Sequence, residues 1–136
     1  MYQTVTEACI ADMVATFYAQ VRNDQLLGPI FEDAIGSHWE THLLKMNAFW
    51  SSVLLASGTY KGNPMLAHLQ LPRLTERHFA RWLQLWRETA TRLCSEAVAS
   101  LFLRKAEMIG ERLLYAISAH HDAATRQPAQ AARQAL

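Results

Sequence analysis

Apolar residues recur at intervals of three and four along four long stretches of the chain, and the interval breaks at Gly, Pro and Asn between them. In the first stretch Ile10, Met13, Val14, Phe17 and Val21 form one stripe, with Tyr18 on its border one turn after Val14. Thr4 and Glu7 have the spacing of a capping box ahead of it, and Asn23-Asp24 closes it. Leu26-Leu27-Gly28-Pro29-Ile30-Phe31 then reads as a sharp turn, with Pro29 opening a short helical stretch toward Gly36. Ser37 and Glu40 have the capping-box spacing again, ahead of a helix whose inner face is Trp39, Leu43, Met46, Phe49 or Trp50, and Val53 or Leu54; Gly58 ends it. Asn63-Pro64 predicts a cap followed by a first-turn proline, starting a short helix with Met65, Leu66, His68 and Leu69 that Pro72 stops. Thr75 caps a third long helix with Phe79, Trp82, Leu83, Trp86, Ala90 and Leu93 inside. Ser95 caps the last, on a spine of Val98, Leu101, Phe102, Ala106, Ile109, Leu113 and Ile117. After His120-His121 the stripe vanishes into an Ala- and Gln-rich segment containing Pro128. The pattern therefore divides the chain into a folded domain over 1–121 and a disordered tail over 122–136.

Composition agrees with helices throughout. Eighteen Leu and twenty-one Ala stand against five Val and five Ile, a pool that favours an all-α chain. At 136 residues the length fits one domain, and 13 basic against 12 acidic side chains exclude a strongly basic nucleic-acid binder. The longest apolar run is Leu113 to Ile117, far below the roughly 20 residues a membrane span needs. No signal peptide is visible at the N-terminus, and Cys9 and Cys94, with no CxxC, suit a reducing cytoplasm better than a disulfide framework. The expectation is a cytoplasmic monomer that binds neither nucleic acid nor membrane.

Four Trp, five Phe, five Met and six His exceed what a small Leu/Ala core requires. His38 and His42, one turn apart, share a helix face but lack further ligands for a zinc site. His68 stands apart because Pro64 and Pro72 bracket its helix and Leu66, Leu69 and Leu71 surround it. Two roles fit it: a core histidine bonded to a carbonyl, or an axial metal ligand. Tyr18 and Trp82 each carry one polar hydrogen into an apolar face, and either bonds a nearby carbonyl or converges with the other on a ligand.

The order of these residues resembles the truncated haemoglobins, and within them the third group. The segments that carry the likeness are Phe17-Tyr18-x-x-Val21-Arg22-x-Asp24, Leu27-Gly28-Pro29-Ile30-Phe31, Trp39-x-x-His42, Phe49-Trp50-Ser51-Ser52, Tyr60-x-Gly62-x-Pro64-Met65-x-x-His68 and Phe79-x-x-Trp82-Leu83-x-Leu85. The likeness covers roughly residues 5 to 120, and the absence of Gly-Gly pairs at helix junctions favours the third group. The resemblance implies a globin-like, truncated two-over-two helical sandwich around non-covalent haem b (iron protoporphyrin IX). It assigns His68 as the proximal iron ligand, Tyr18 as the principal distal donor, Trp82 as a second donor and His42 as the distal gate. Phe31 would pack on the haem face and Lys45 would reach a propionate. Met46, Phe49, Trp50, Leu54, Phe79 and Trp86 would wall the pocket, with Trp86 standing where phenylalanine is common.

The partners implied are O2 and other small diatomic ligands. A hydrogen bond to an acceptor that carries charge is worth roughly 1.5–3 kcal/mol, which slows ligand release by roughly 10- to 150-fold. Two such donors predict high affinity, suited to ligand retention or redox chemistry rather than transport. The alternatives left open are a peroxidase-like or nitric-oxide-detoxifying enzyme dependent on an unidentified reductase, a gas sensor, and a haem-free helical interaction module whose aromatics are ordinary core.

Overall fold

The computed structural model describes the backbone of residues 1–135 and the side chains of residues 1–123. Among the described residues six helices follow one another: α1 (Glu7–Arg22), α2 (Gly28–Ile35), α3 (Trp39–Leu55), α4 (Pro64–Leu69), α5 (Glu76–Leu93) and α6 (Glu96–Ala135). Helix α6 passes His120-His121 without a break, and the tail read from residue 122 lies almost wholly outside the residues whose side chains are described.

Helices α1, α4 and α5 start where a side chain takes up a free backbone N–H. Thr6, in extended conformation, caps α1 by accepting from the Cys9 amide at 3.1 Å. The expected Thr4–Glu7 box does not form: Thr6 holds the N-cap, and the Glu7 carboxylate accepts from Ser51 Oγ on α3 at 2.5 Å. Asn63 caps α4 through the Leu66 amide at 3.1 Å, and Thr75 caps α5 in a box whose third helical position is His78. Helix α3 departs from expectation at both ends. His38 rather than Ser37 occupies its N-cap, without a side-chain bond, and it stops at Ala56, in the left-handed region at φ 54°, two residues before Gly58.

The long helices pack as two pairs, α1 with α3 and α5 with α6, joined where α1 crosses α5 and α3 meets α6; α4 leans on α6. The inner stripes close a continuous core that includes Ile10, Met13, Phe17, Val21, Trp86, Ala90 and Phe102. On α6 Val98, Phe102, Ala106, Leu113 and Ile117 are buried as expected, whereas Leu101 is 45% exposed. One position off the stripe is enough to turn a side chain to solvent on a helix of 3.6 residues per turn.

The corner between α1 and α2 is fixed by one carboxylate. Asp24, whose side chain is only 6% exposed, accepts from the amides of Leu26 and Leu27 at 3.1 and 2.9 Å and from the Arg81 guanidinium of α5 at 2.7 Å. Burial alone would raise its pKa, but the Leu27 amide and Arg81 outweigh it and hold the carboxyl below its ordinary range. Gly28 completes the corner. A side chain there would lie 3.0 Å from the Arg22 carbonyl and 3.2 Å from that of Val21, so the tight approach of α2 to the end of α1 requires glycine. No helix among the described residues is long and apolar enough to cross a membrane.

Candidate functional site

A largely apolar cavity of about 500 Å³ lies between the helix pairs. Its walls bring together residues that stand far apart in sequence: Tyr18 from α1, Phe31 from α2, His42 from α3, His68 from α4 and Trp82 from α5. Met46, Phe49, Trp50, Phe79 and Trp86 line it as well. Two residues expected at the site stand outside the lining. Lys45 is exposed on the solvent side of α3, and Leu54, one turn beyond Trp50, packs on the core.

His68 stands on a short helix whose start is fixed. Its helix is capped by Asn63 and opened by Pro64, and its Nδ1 lies 2.6 Å from the Pro64 carbonyl. A carbonyl only accepts, so Nδ1 carries the proton and Nε2 keeps a lone pair for a ligand. The carbonyl-bonded histidine and the axial ligand, alternatives in the sequence, are thus compatible in one ring.

Around Tyr18 the site is built of rings. Tyr18 is 7% exposed and sits edge-on to Phe17 and His42, each at 4.9 Å between centroids, and to Phe31 and Trp39 at 5.8 and 5.9 Å. Among the described residues nothing accepts its hydroxyl, and burial pushes that hydroxyl well above the ordinary tyrosine range. The carbonyl partner that would make Tyr18 ordinary core is therefore absent from the described residues. His42 Nε2 is likewise buried without a partner there. Burial first, then the charges of Lys45 and His68, lower the His42 imidazole to about 4, so it is neutral at pH 7. On the other wall Trp82 lies parallel to Trp86 at 6.4 Å, and Trp86 stacks on Trp50 at 4.8 Å, giving the cavity a rigid aromatic side.

A cavity of this size and apolarity, with few polar groups turned into it, suits a flat apolar cofactor. His68 Nε2 provides one axial ligand, and the unpartnered Tyr18 hydroxyl and His42 Nε2 provide polar contacts in the same space. The donor set fits haem. His38 takes no part, being exposed with Nδ1 3.3 Å from the Ile35 carbonyl.

Several lining residues escaped the sequence reading, among them Ile30, Leu71, Leu74, His78 and Ile109. Ile109 carries a periodicity signal for burial but none for a ligand. His78 had a signal of its own, standing three residues after the capping Thr75. Its Nδ1 accepts from the Thr75 amide at 3.0 Å while the ring edges the cavity.

No family model matches the chain. It is nevertheless 35% identical over 125 residues to the group 3 truncated hemoglobin ctb of Campylobacter jejuni, across 88% of this chain and 98% of that protein. The crystal structure of the group III truncated hemoglobin from Campylobacter jejuni superposes with a TM-score of 0.82 at 34% identity, covering 85% of this chain and 94% of the other. A helical sandwich whose cavity sets a Pro-bounded histidine among buried aromatic residues defines a truncated globin. The chain belongs to the group III truncated haemoglobins, and the fold is the all-α truncated globin fold.

Proposed function

We propose that the chain holds haem b non-covalently through His68 Nε2 and binds O2 and other diatomic ligands with high affinity, for retention or redox chemistry rather than transport. The observation that carries this is the pairing, in one cavity, of a histidine whose Nδ1 is committed to the Pro64 carbonyl with a buried tyrosine hydroxyl that has no partner among the described residues. When bound, haem supplies an iron that takes up a diatomic ligand and exchanges electrons with an external donor.

The chain's own contributions follow from position. Tyr18 donates its proton to the ligand space, and its four ring neighbours hold the hydroxyl there. Trp82 is the second donor, fixed by its parallel contact with Trp86. His42, neutral at pH 7 and edge-on to Tyr18, gates the space. Phe31, Met46, Phe49, Trp50, Phe79 and Trp86 exclude water and fill the flanks. Lys45, exposed on α3 and near enough for its charge to act on His42, is the candidate partner for a propionate.

A second reading, peroxidase-like or nitric-oxide-consuming turnover with an unidentified reductase, draws support from His42. Its Nε2, buried next to a phenol and without a partner among the described residues, offers a ring nitrogen for relaying a proton.

Absorption spectroscopy and rapid mixing test the proposal together. The purified chain should give a Soret band at one haem per chain, and His68→Ala should lose the five-coordinate ferrous spectrum. No Soret band after haem addition would instead support a haem-free interaction module. Rates measured with O2, nitric oxide and peroxide on one preparation separate retention from turnover.

A further inference from the structure

Cys9 and Cys94 have no role in the cavity, and 85 positions separate them in sequence. Their Sγ atoms nevertheless lie 4.0 Å apart, with the residues 0% and 2% exposed. Both backbones are pinned. The Cys9 amide donates to Thr6 Oγ1 in the first turn of α1, and Cys94, extended at the C-cap of α5, donates to the Ala90 carbonyl at 2.9 Å. The N-terminal segment clamps the same corner, since the Tyr2 amide donates to the Leu93 carbonyl at 2.9 Å and the Ser95 amide donates to the Tyr2 carbonyl at 2.8 Å. The Tyr2 hydroxyl also donates to the Asp12 carboxylate on α1. The two thiols, in contact on anchored backbones, stand about 2 Å beyond the roughly 2.05 Å of a disulfide bond.

We propose that Cys9 and Cys94 form a dithiol that hydrogen peroxide converts to an intramolecular disulfide, stapling the start of α1 to the corner between α5 and α6.

The surroundings set the order of events. Burial raises both thiols, but the Cys94 S–H donating to Cys9, and the Thr6 backbone amide, pull Cys9 back, while burial and the Cys9 charge push Cys94 up to about 12. Cys9 also sits in the first turn of α1, where the helix dipole favours an anion. Cys9 is therefore the attacking thiolate. It breaks the O–O bond of peroxide, giving a Cys9 sulfenic acid and a hydroxide that takes up the thiol proton as water. Cys94 then attacks the Cys9 sulfur, its proton leaves with the displaced hydroxide as a second water, and the S–S bond forms. Two thiols and one peroxide yield one disulfide and two waters.

The closed loop runs from α1 to the end of α5 and so encloses Tyr18, His42, His68 and Trp82. Constraining so long a loop in the unfolded chain raises the melting temperature by on the order of 10 °C.

The test uses the full-length, haem-loaded chain, reduced, freed of reductant, exposed to hydrogen peroxide and quenched with catalase. Both thiols should disappear without denaturant, and a non-reducing peptide map should join Cys9 to Cys94 within one molecule. The melting temperature should rise, and dithiothreitol should return it, which separates the staple from oxidation of the haem. Cys94→Ser should stop at a sulfenic acid on Cys9 that dimedone traps, whereas Cys9→Ser should give no adduct. Two thiols surviving the treatment, cross-links only between molecules, or a disulfide without a rise in melting temperature would each overturn the proposal. The wild-type measurements decide it even where a serine variant fails to fold.

Discussion

At Tyr18 the chain buries a hydroxyl whose ring touches four aromatic neighbours and whose oxygen finds no acceptor among the described residues. Tyr18→Phe removes a donor without opening a hole. The O2 dissociation rate should rise by several-fold to roughly 100-fold in rapid mixing, while the melting temperature stays level or increases. An unchanged rate would show that another group is the main donor. His42 makes a different prediction because its imidazole, lowered to about 4, stays neutral while that of the unfolded chain titrates near 6.5. Between these values the unfolded state binds the extra proton, so stability is full above about pH 6.5 and falls as pH drops toward 4. The groups that act on it are Lys45 on its own helix and His68 across the cavity, with the Tyr18 ring against it. His42→Leu should flatten this part of the stability–pH curve in denaturant titrations. A slope identical to wild type would place the proton elsewhere.

At the level of elements, the corner after α1 decides whether the cavity has a distal wall. Asp24 ties the Leu26 and Leu27 amides to Arg81, and Arg81 precedes Trp82 on α5, so one carboxylate aligns α1, α2 and α5. Asp24→Asn keeps the shape but loses the charge. It should destabilise the protein by roughly 1.5–3 kcal/mol in urea unfolding at neutral pH, the range for hydrogen bonds to charged groups. The wild-type carboxyl is held below its ordinary range, so its contribution is present at neutral pH and is lost as pH falls through that lowered value. The variant should therefore close the gap to wild type in strong acid; a constant gap would mean that packing, not charge, sets the cost. Short α4 works by the same local means, since Asn63, Pro64 and the Pro64 carbonyl together fix where His68 stands.

For the whole molecule, the question is what a cavity of about 500 Å³ does to a domain this small. Apolar walls without contents forgo contacts that a larger protein would supply from its own core. A cofactor that binds only the folded state adds stability in proportion to the logarithm of its concentration over its dissociation constant, about 2.7 kcal/mol at a hundredfold excess. Haem-free protein should accordingly melt on the order of 10 °C below the haem-loaded form in calorimetry. Equal melting temperatures would mean that the core is complete without haem.

What the chain determined by itself was local. The interval of apolar residues set the helices, Asn63, Thr75 and Ser95 stood at the starts of theirs, and Pro64 with Pro72 isolated His68. The family likeness then rested on side chains in order, and ten of the twelve residues expected at the site do line one cavity. Tertiary structure decided the rest. Thr6 rather than Thr4 caps α1, and the Glu7 carboxylate accepts from Ser51, 44 positions away. Leu54 and Lys45 fall outside the lining, His78 and Ile109 fall within it, and Cys9 meets Cys94. Spacing along a helix specifies which side chains share a face. It carries no information about which other face they meet, because that depends on how the corners at Asp24 and Gly28, and the crossing of α1 on α5, set the helices against each other.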